Sequence, residues 1–89
     1  MIQVRDLRQL PGGGALSQWQ GRIGEHGSIS IRYRWGLLTA RVYETAPEVW
    51  QEGQLVFEQE VGEKMGIYLS TDEMQATLAS VCHFVENEA

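Results

Sequence analysis

The sequence of 89 residues has one cysteine, Cys82. A lone thiol excludes an internal disulfide framework and fits a reducing compartment, so a cytoplasmic setting is expected. Histidine is nearly as scarce. His26 and His83 lie far apart, and with one cysteine they assemble no zinc-ligand spacing, so no metal is expected. No run of about 18 apolar residues occurs, so no membrane-spanning helix is expected. The opening MIQVRDLRQL carries scattered charge and no apolar h-region, which is not the pattern of a signal peptide. A P-loop, a dinucleotide glycine fingerprint and a nucleophile elbow are also missing, and no cofactor is expected. The GGG at 12–14 follows Pro11 and precedes no Gly-Lys-Ser or Gly-Lys-Thr, so it reads as a loop. Catalytic constellations are absent too. His83 has no nucleophile near it in sequence, and Glu58 and Glu60 share a strand face without an acid–base partner. The chain is not expected to be an enzyme.

What is present suits a small folded unit. An apolar share of 43% is enough for a core, and 89 residues imply a single domain, 1–89. A domain of this size buries a modest fraction of its surface, which favours association with a second copy. The net charge of −5 hides an asymmetry. Residues 1–43 hold six arginines against Asp6 and Glu25, whereas residues 44–89 hold Lys64 against ten acidic residues. A fold that separates the halves would have one positive and one negative surface.

The stretch SISIRYRWGLLTARVYE, residues 28–44, carries the strongest pattern. Apolar and polar residues alternate on both sides of Trp35-Gly36, and Gly accepts the positive φ that two-residue hairpin turns demand. Pairing outward from that turn sets Arg34 against Leu37, Tyr33 against Leu38, Arg32 against Thr39, Ile31 against Ala40, Ser30 against Arg41 and Ile29 against Val42. Period-two alternation then gathers Ile29, Ile31, Tyr33, Leu38, Ala40 and Val42 on one face. The other face holds Ser30, Arg32, Arg34, Leu37, Thr39 and Arg41. A one-residue slip would mix the two sets, so the pattern specifies the register.

Around this hairpin, Ile2–Leu7, 16–23, 54–61 and 65–70 read as further strands, with 45–53 as a loop. Ser70 followed by Glu73 forms a capping box, with Leu69 and Met74 as its hydrophobic staple and Asp72 and Glu73 in the first turn. Met74, Leu78, Val81 and Val85 follow at helical spacing, and Cys82 and Phe84 broaden the stripe, predicting a helix that runs on to 85. The fold class expected is α+β: an antiparallel sheet of four to five strands followed by one C-terminal helix packed on it.

Two blocks, SISIRYRWGLLTARVYE and EKMGIYLSTDEMQATLASV, cover about two fifths of the chain. In them the chain resembles the single-stranded-DNA-binding transcriptional coactivators called positive cofactor four, with their bacterial and phage relatives. That family has a strand, a residue–Gly turn and a return strand with basic and aromatic residues on one face, then a short strand, a Ser/Thr cap and a final helix. The resemblance implies a homodimer joined through the C-terminal helix, with sheets that cradle single-stranded DNA or RNA. By position, Arg32 falls on the family's basic strand residue, Arg34 and Trp35 fall around its turn, and Arg41 falls on the return strand. The chain departs from the family at Trp35 and Leu37, where lysines usually flank the glycine, and in its longer, acidic 45–64 connection.

Binding a single strand without sequence preference needs cations along the backbone and aromatic faces for bases. Arg22, Arg32, Arg34 and Arg41 are the candidate cations. Trp35 is the candidate stacking platform, with Trp19 as a second. A rival reading belongs to another class: a small acidic phage-encoded inhibitor of a host defence nuclease, of the anti-CRISPR or anti-restriction type. There Glu44, Glu48, Glu52, Glu58, Glu60 and Glu63 would present charge to a basic protein partner.

Overall fold

A computed structural model of the chain describes residues 1–11, 17–44 and 53–85. Strands β1 (Ile2–Leu10), β2 (Ser17–Ile23), β3 (Gly27–Arg34), β4 (Leu37–Tyr43) and β5 (Gln54–Glu60) come first. Helix α1 (Thr71–Leu78) and strand β6 (Cys82–Phe84) complete the order. The strands form one sheet in the order β5-β4-β3-β2-β1-β6. The fold is α+β, as expected, but the sheet has six strands and is mixed. β1 to β5 form an antiparallel meander, and β6 pairs with β1 in parallel.

The hairpin at the centre has the register that its two-faced pattern specifies, from Arg34 opposite Leu37 to Ile29 opposite Val42. Trp35 and Gly36 have φ of 54° and 76°. Positive φ at both central residues is the demand of a type I′ turn, whose twist matches that of the strands. Ile29, Ile31, Leu38 and Ala40 are fully buried, and Tyr33 nearly so. Trp19 and Val4 join them from β2 and β1, and Met74 and Leu78 cover them from α1. α1 leaves Asp72, Glu73 and Ala76 exposed.

Polar groups tie the layers together. The Trp19 indole donates to Thr71 Oγ1 at 3.0 Å, joining β2 to the start of α1. Tyr33 Oη donates to the Val61 carbonyl at 2.6 Å. Ser17 Oγ donates to the Ile67 carbonyl at 2.9 Å and accepts from the Leu69 N–H at 3.3 Å. These bonds hold residues 61–70 as an irregular connection and not the strand expected at 65–70. The Gly36 N–H donates to the Gly66 carbonyl, and the Gly36 carbonyl accepts from Val61, at 2.9 and 2.8 Å. The segment's backbone groups thus bond to a turn and a serine, leaving no run free for a ladder.

Ser70 caps α1 as expected, but the Glu73 carboxylate bonds back to the Ser70 hydroxyl and not to its backbone N–H. Ser70 Oγ accepts from the Glu73 N–H at 3.1 Å, and its hydroxyl donates to Glu73 Oε1 at 2.9 Å. Leu69 and Met74 are both buried, completing the staple. The helix nevertheless stops at Leu78, well short of 85. Val81, Cys82, Phe84 and Val85 are as apt for a strand as for a helix, and the free edge of β1 decides between them. The Ile2 N–H donates to the Val81 carbonyl and the Val85 N–H to the Val4 carbonyl, both at 2.9 Å. Ile2 and Val4 thereby face Cys82 and Phe84 across the pair. Among the described residues, no helix is long and apolar enough to cross a membrane.

Candidate nucleic-acid interface

Residues directly opposite one another on neighbouring strands project from the same face of a sheet. The pairings therefore divide the face turned away from α1 into four rows. The first runs Arg5, Arg22, Ser28, Tyr43. The second runs Arg8, Gln20, Ser30, Arg41, Leu55. The third runs Leu10, Gln18, Arg32, Thr39, Glu58. The last, nearest the Trp35-Gly36 turn, holds Arg34, Leu37 and Glu60. Every arginine of the chain lies on this one face, and all six are exposed.

Four of the six were candidates from the sequence: Arg22, Arg32, Arg34 and Arg41. Arg5 and Arg8 join them for a reason that spacing alone conceals. Residues three apart in a regular strand point to opposite faces. Between Arg5 and Arg8, however, β1 holds one residue more than β2, and Asp6 there has a φ of 52°. This bulge shifts the alternation by one and returns Arg8 to the face of Arg5. The signal in the sequence was Asp6 itself, because Asp is among the few residues that enter the left-handed region readily. Gly21 lies beside the bulge, where a Cβ would come within 3.2 Å of the Arg5 carbonyl.

The arginines differ in what holds them. Arg22 Nε lies 3.8 Å from Asp6 Oδ2, an exposed pair that is weak and screened by salt. Arg5 donates to the Gly24 carbonyl. Arg41 Nη1 donates to the Gly53 carbonyl at 3.0 Å, which ties β4 to the start of β5. The Arg34 guanidinium lies 5.3 Å from the centroid of the Trp35 ring, a cation–π distance. Among the described residues, no carboxylate comes within 4.0 Å of Arg8, Arg32, Arg34 or Arg41.

The two tryptophans expected to stack on bases part company. Trp35 is 45% exposed at the hairpin turn, beside the row of Arg34. Trp19 is fully buried on the opposite face and donates its indole N–H to α1, so it cannot serve as a platform.

Of the six acidic residues of the rival reading, four lie among the described residues. Glu58 and Glu60 lie on β5 and share the arginine face, Glu63 is in the 61–70 connection, and Glu44 follows β4. Glu48 and Glu52, and most of the loop expected at 45–53, lie outside the described residues. Among the described residues, no group of three or more His, Cys, Asp or Glu side chains is placed to hold a metal ion. No family model, no curated protein and no solved structure matches this chain.

Proposed function

We propose that the arginine face binds single-stranded nucleic acid without sequence preference, as a binding surface and not as a catalytic one. One observation carries the reading: the sheet register collects all six arginines on one face. A net negative chain that concentrates its cations in this way has a local field opposite to its overall charge. Guanidinium groups suit phosphate because they offer a planar fork of donors.

Trp35 adds the second requirement. A bulky residue at positive φ is a genuine outlier, and Asn, Asp or Gly would sit in this turn with less strain. Strained residues cluster at functional sites, and the exposed ring beside Arg34 is where an unpaired base can stack. Such a stack is worth about 1–3 kcal/mol.

The test is fluorescence anisotropy of a labelled oligothymidylate. Binding is expected at about 50 mM salt, falling on Arg32→Ala with Arg34→Ala. If all six arginines engage phosphates, the slope of log K against log salt approaches about −4. Affinity then drops about 300-fold between about 50 and 200 mM. No binding by the wild-type protein at the lower salt refutes the proposal.

A further inference from the structure

The cations are not spread evenly over their face, and two carboxylates mark the side they avoid. In the two rows nearest the turn, the arginines are Arg32 and Arg34 on β3, and β5 contributes Glu58 and Glu60. In the two rows farther away, the arginines extend to β2 and β1 as Arg22, Arg8 and Arg5. Arg41 stands apart by position, on β4 next to the strand of the two glutamates, since its bond to the Gly53 carbonyl is matched by that of Arg5 to Gly24.

Strand spacing gives this pattern a scale. Successive rows are two residues apart, about 6.8 Å, so the four rows span about 20 Å. Between Arg34 and Arg32 that step is close to the separation of successive phosphates in an extended single strand. From Arg32 to Arg8, one row and two strands on, the distance is about 12 Å, roughly two such separations. β5 lies two strands from β3, about 10 Å away. That is about one Debye length at moderate salt, so the field of Glu58 and Glu60 reaches a phosphate seated on Arg32 or Arg34. Neither carboxylate pairs with an arginine within 4.0 Å among the described residues, so neither charge is neutralised locally.

We infer that the bound strand crosses the sheet obliquely, from Arg34 and Arg32 at the turn to Arg22, Arg8 and Arg5 at the β1 end. Glu58 and Glu60 set the course by repelling phosphate from the β5 side. Arg41 is then off the path, and its role is to fasten β4 to Gly53. This inference rests on the reading of the face as a single-strand site, and it adds the direction, the contact set and the residues that fix both.

The experiment measures the salt slope of binding to a fluorescein-labelled oligothymidylate of about ten nucleotides, inside the usual site size of a small domain. Wild type, six single Arg→Gln variants and the double variant Glu58→Gln with Glu60→Gln are compared, and circular dichroism confirms that each is folded. The slope should shrink by about 0.7 for each of Arg5, Arg8, Arg22, Arg32 and Arg34, and should stay unchanged for Arg41. The double glutamate variant should bind severalfold more tightly at low salt, with the gain vanishing at high salt. If wild type binds but Arg41→Gln reduces the slope while Arg5→Gln and Arg8→Gln do not, the oblique path is overturned and the single-strand reading stands. An unchanged affinity in the glutamate variant overturns the role of β5. Failure of wild type to bind removes both.

Discussion

Gly24 and Gly36 offer a paired test of what holds the Trp35-Gly36 end of the hairpin in place. Both have positive φ, +58° and +76°, and each is to be replaced by alanine. A Cβ in the left-handed region costs about 1–2 kcal/mol, offset by about 0.4–1 kcal/mol from a stiffer unfolded chain. Nothing lies within 4 Å of a Cβ at Gly24, so that balance is the whole effect there, about 1 kcal/mol. At Gly36 the Cβ would press into the Glu63 carbonyl oxygen and come within 3.0 Å of Lys64 Cα. These are backbone atoms, and they can withdraw only if residues 61–66 leave the turn. That breaks the hydrogen bonds from Gly36 to Gly66 and from Val61 to Gly36, each worth about 0.5–1.5 kcal/mol. The expected loss is about 2–4 kcal/mol in all. At about 4–8 °C per kcal/mol for a domain of this size, Tm falls by about 5 °C for Gly24→Ala and about 15 °C for Gly36→Ala. Thermal denaturation followed by circular dichroism reads both. Equal shifts would refute the idea that the 61–66 connection clamps the turn that presents Arg34 and Trp35.

Two further predictions concern Cys82 and assembly. Burial pushes the Cys82 thiol up, with the N-terminal ammonium opposing the shift. The unfolded chain therefore loses its thiol proton first as pH rises, and this group's contribution to stability declines above about pH 8.5. Alkylation by iodoacetamide should be slow in the native protein and fast in urea. A native rate equal to that of a free thiol would show that the β6 edge opens readily. Dimerisation through α1, as the family resemblance implies, predicts a scattering mass of twice the chain at tens of micromolar, lost on Ala76→Glu. A chain-mass reading refutes it.

The central hairpin was legible pair by pair because both of its faces are patterned. Apolar residues fix one side and arginines the other, and no alternative register satisfies both. Trp19 was misread as a stacking platform, although Gln18, Trp19 and Gln20 alternate and the one apolar residue among them belongs on the core face. The end of the helix was not legible. Met74, Leu78, Val81 and Val85 fit a helical stripe, and only a partner some eighty residues away in sequence, the edge of β1, turns the last part into a strand. The extent of the arginine face was half visible. Arg32, Arg34 and Arg41 follow from alternation around the turn, and Arg22 needed only a neighbouring strand. Arg5 and Arg8 depend on a bulge, an interruption of period two that no count of alternating residues contains.

The parallel pairing of β6 with β1 also orders the folding of the chain in time. The meander from β1 to β5 grows by contacts between neighbours, each closing a short loop. The β1–β6 pair, joining Ile2 to Cys82, closes nearly the whole sequence into one loop, and contacts of such long range are slow to form. Until it forms, β1 is a sheet edge whose backbone groups are open to other chains beside the apolar Ile2 and Val4. A ribosome must therefore release residues 82–84 before β1 becomes an interior strand. The three residues of β6 are the latch on a sheet whose six arginines all lie within the meander.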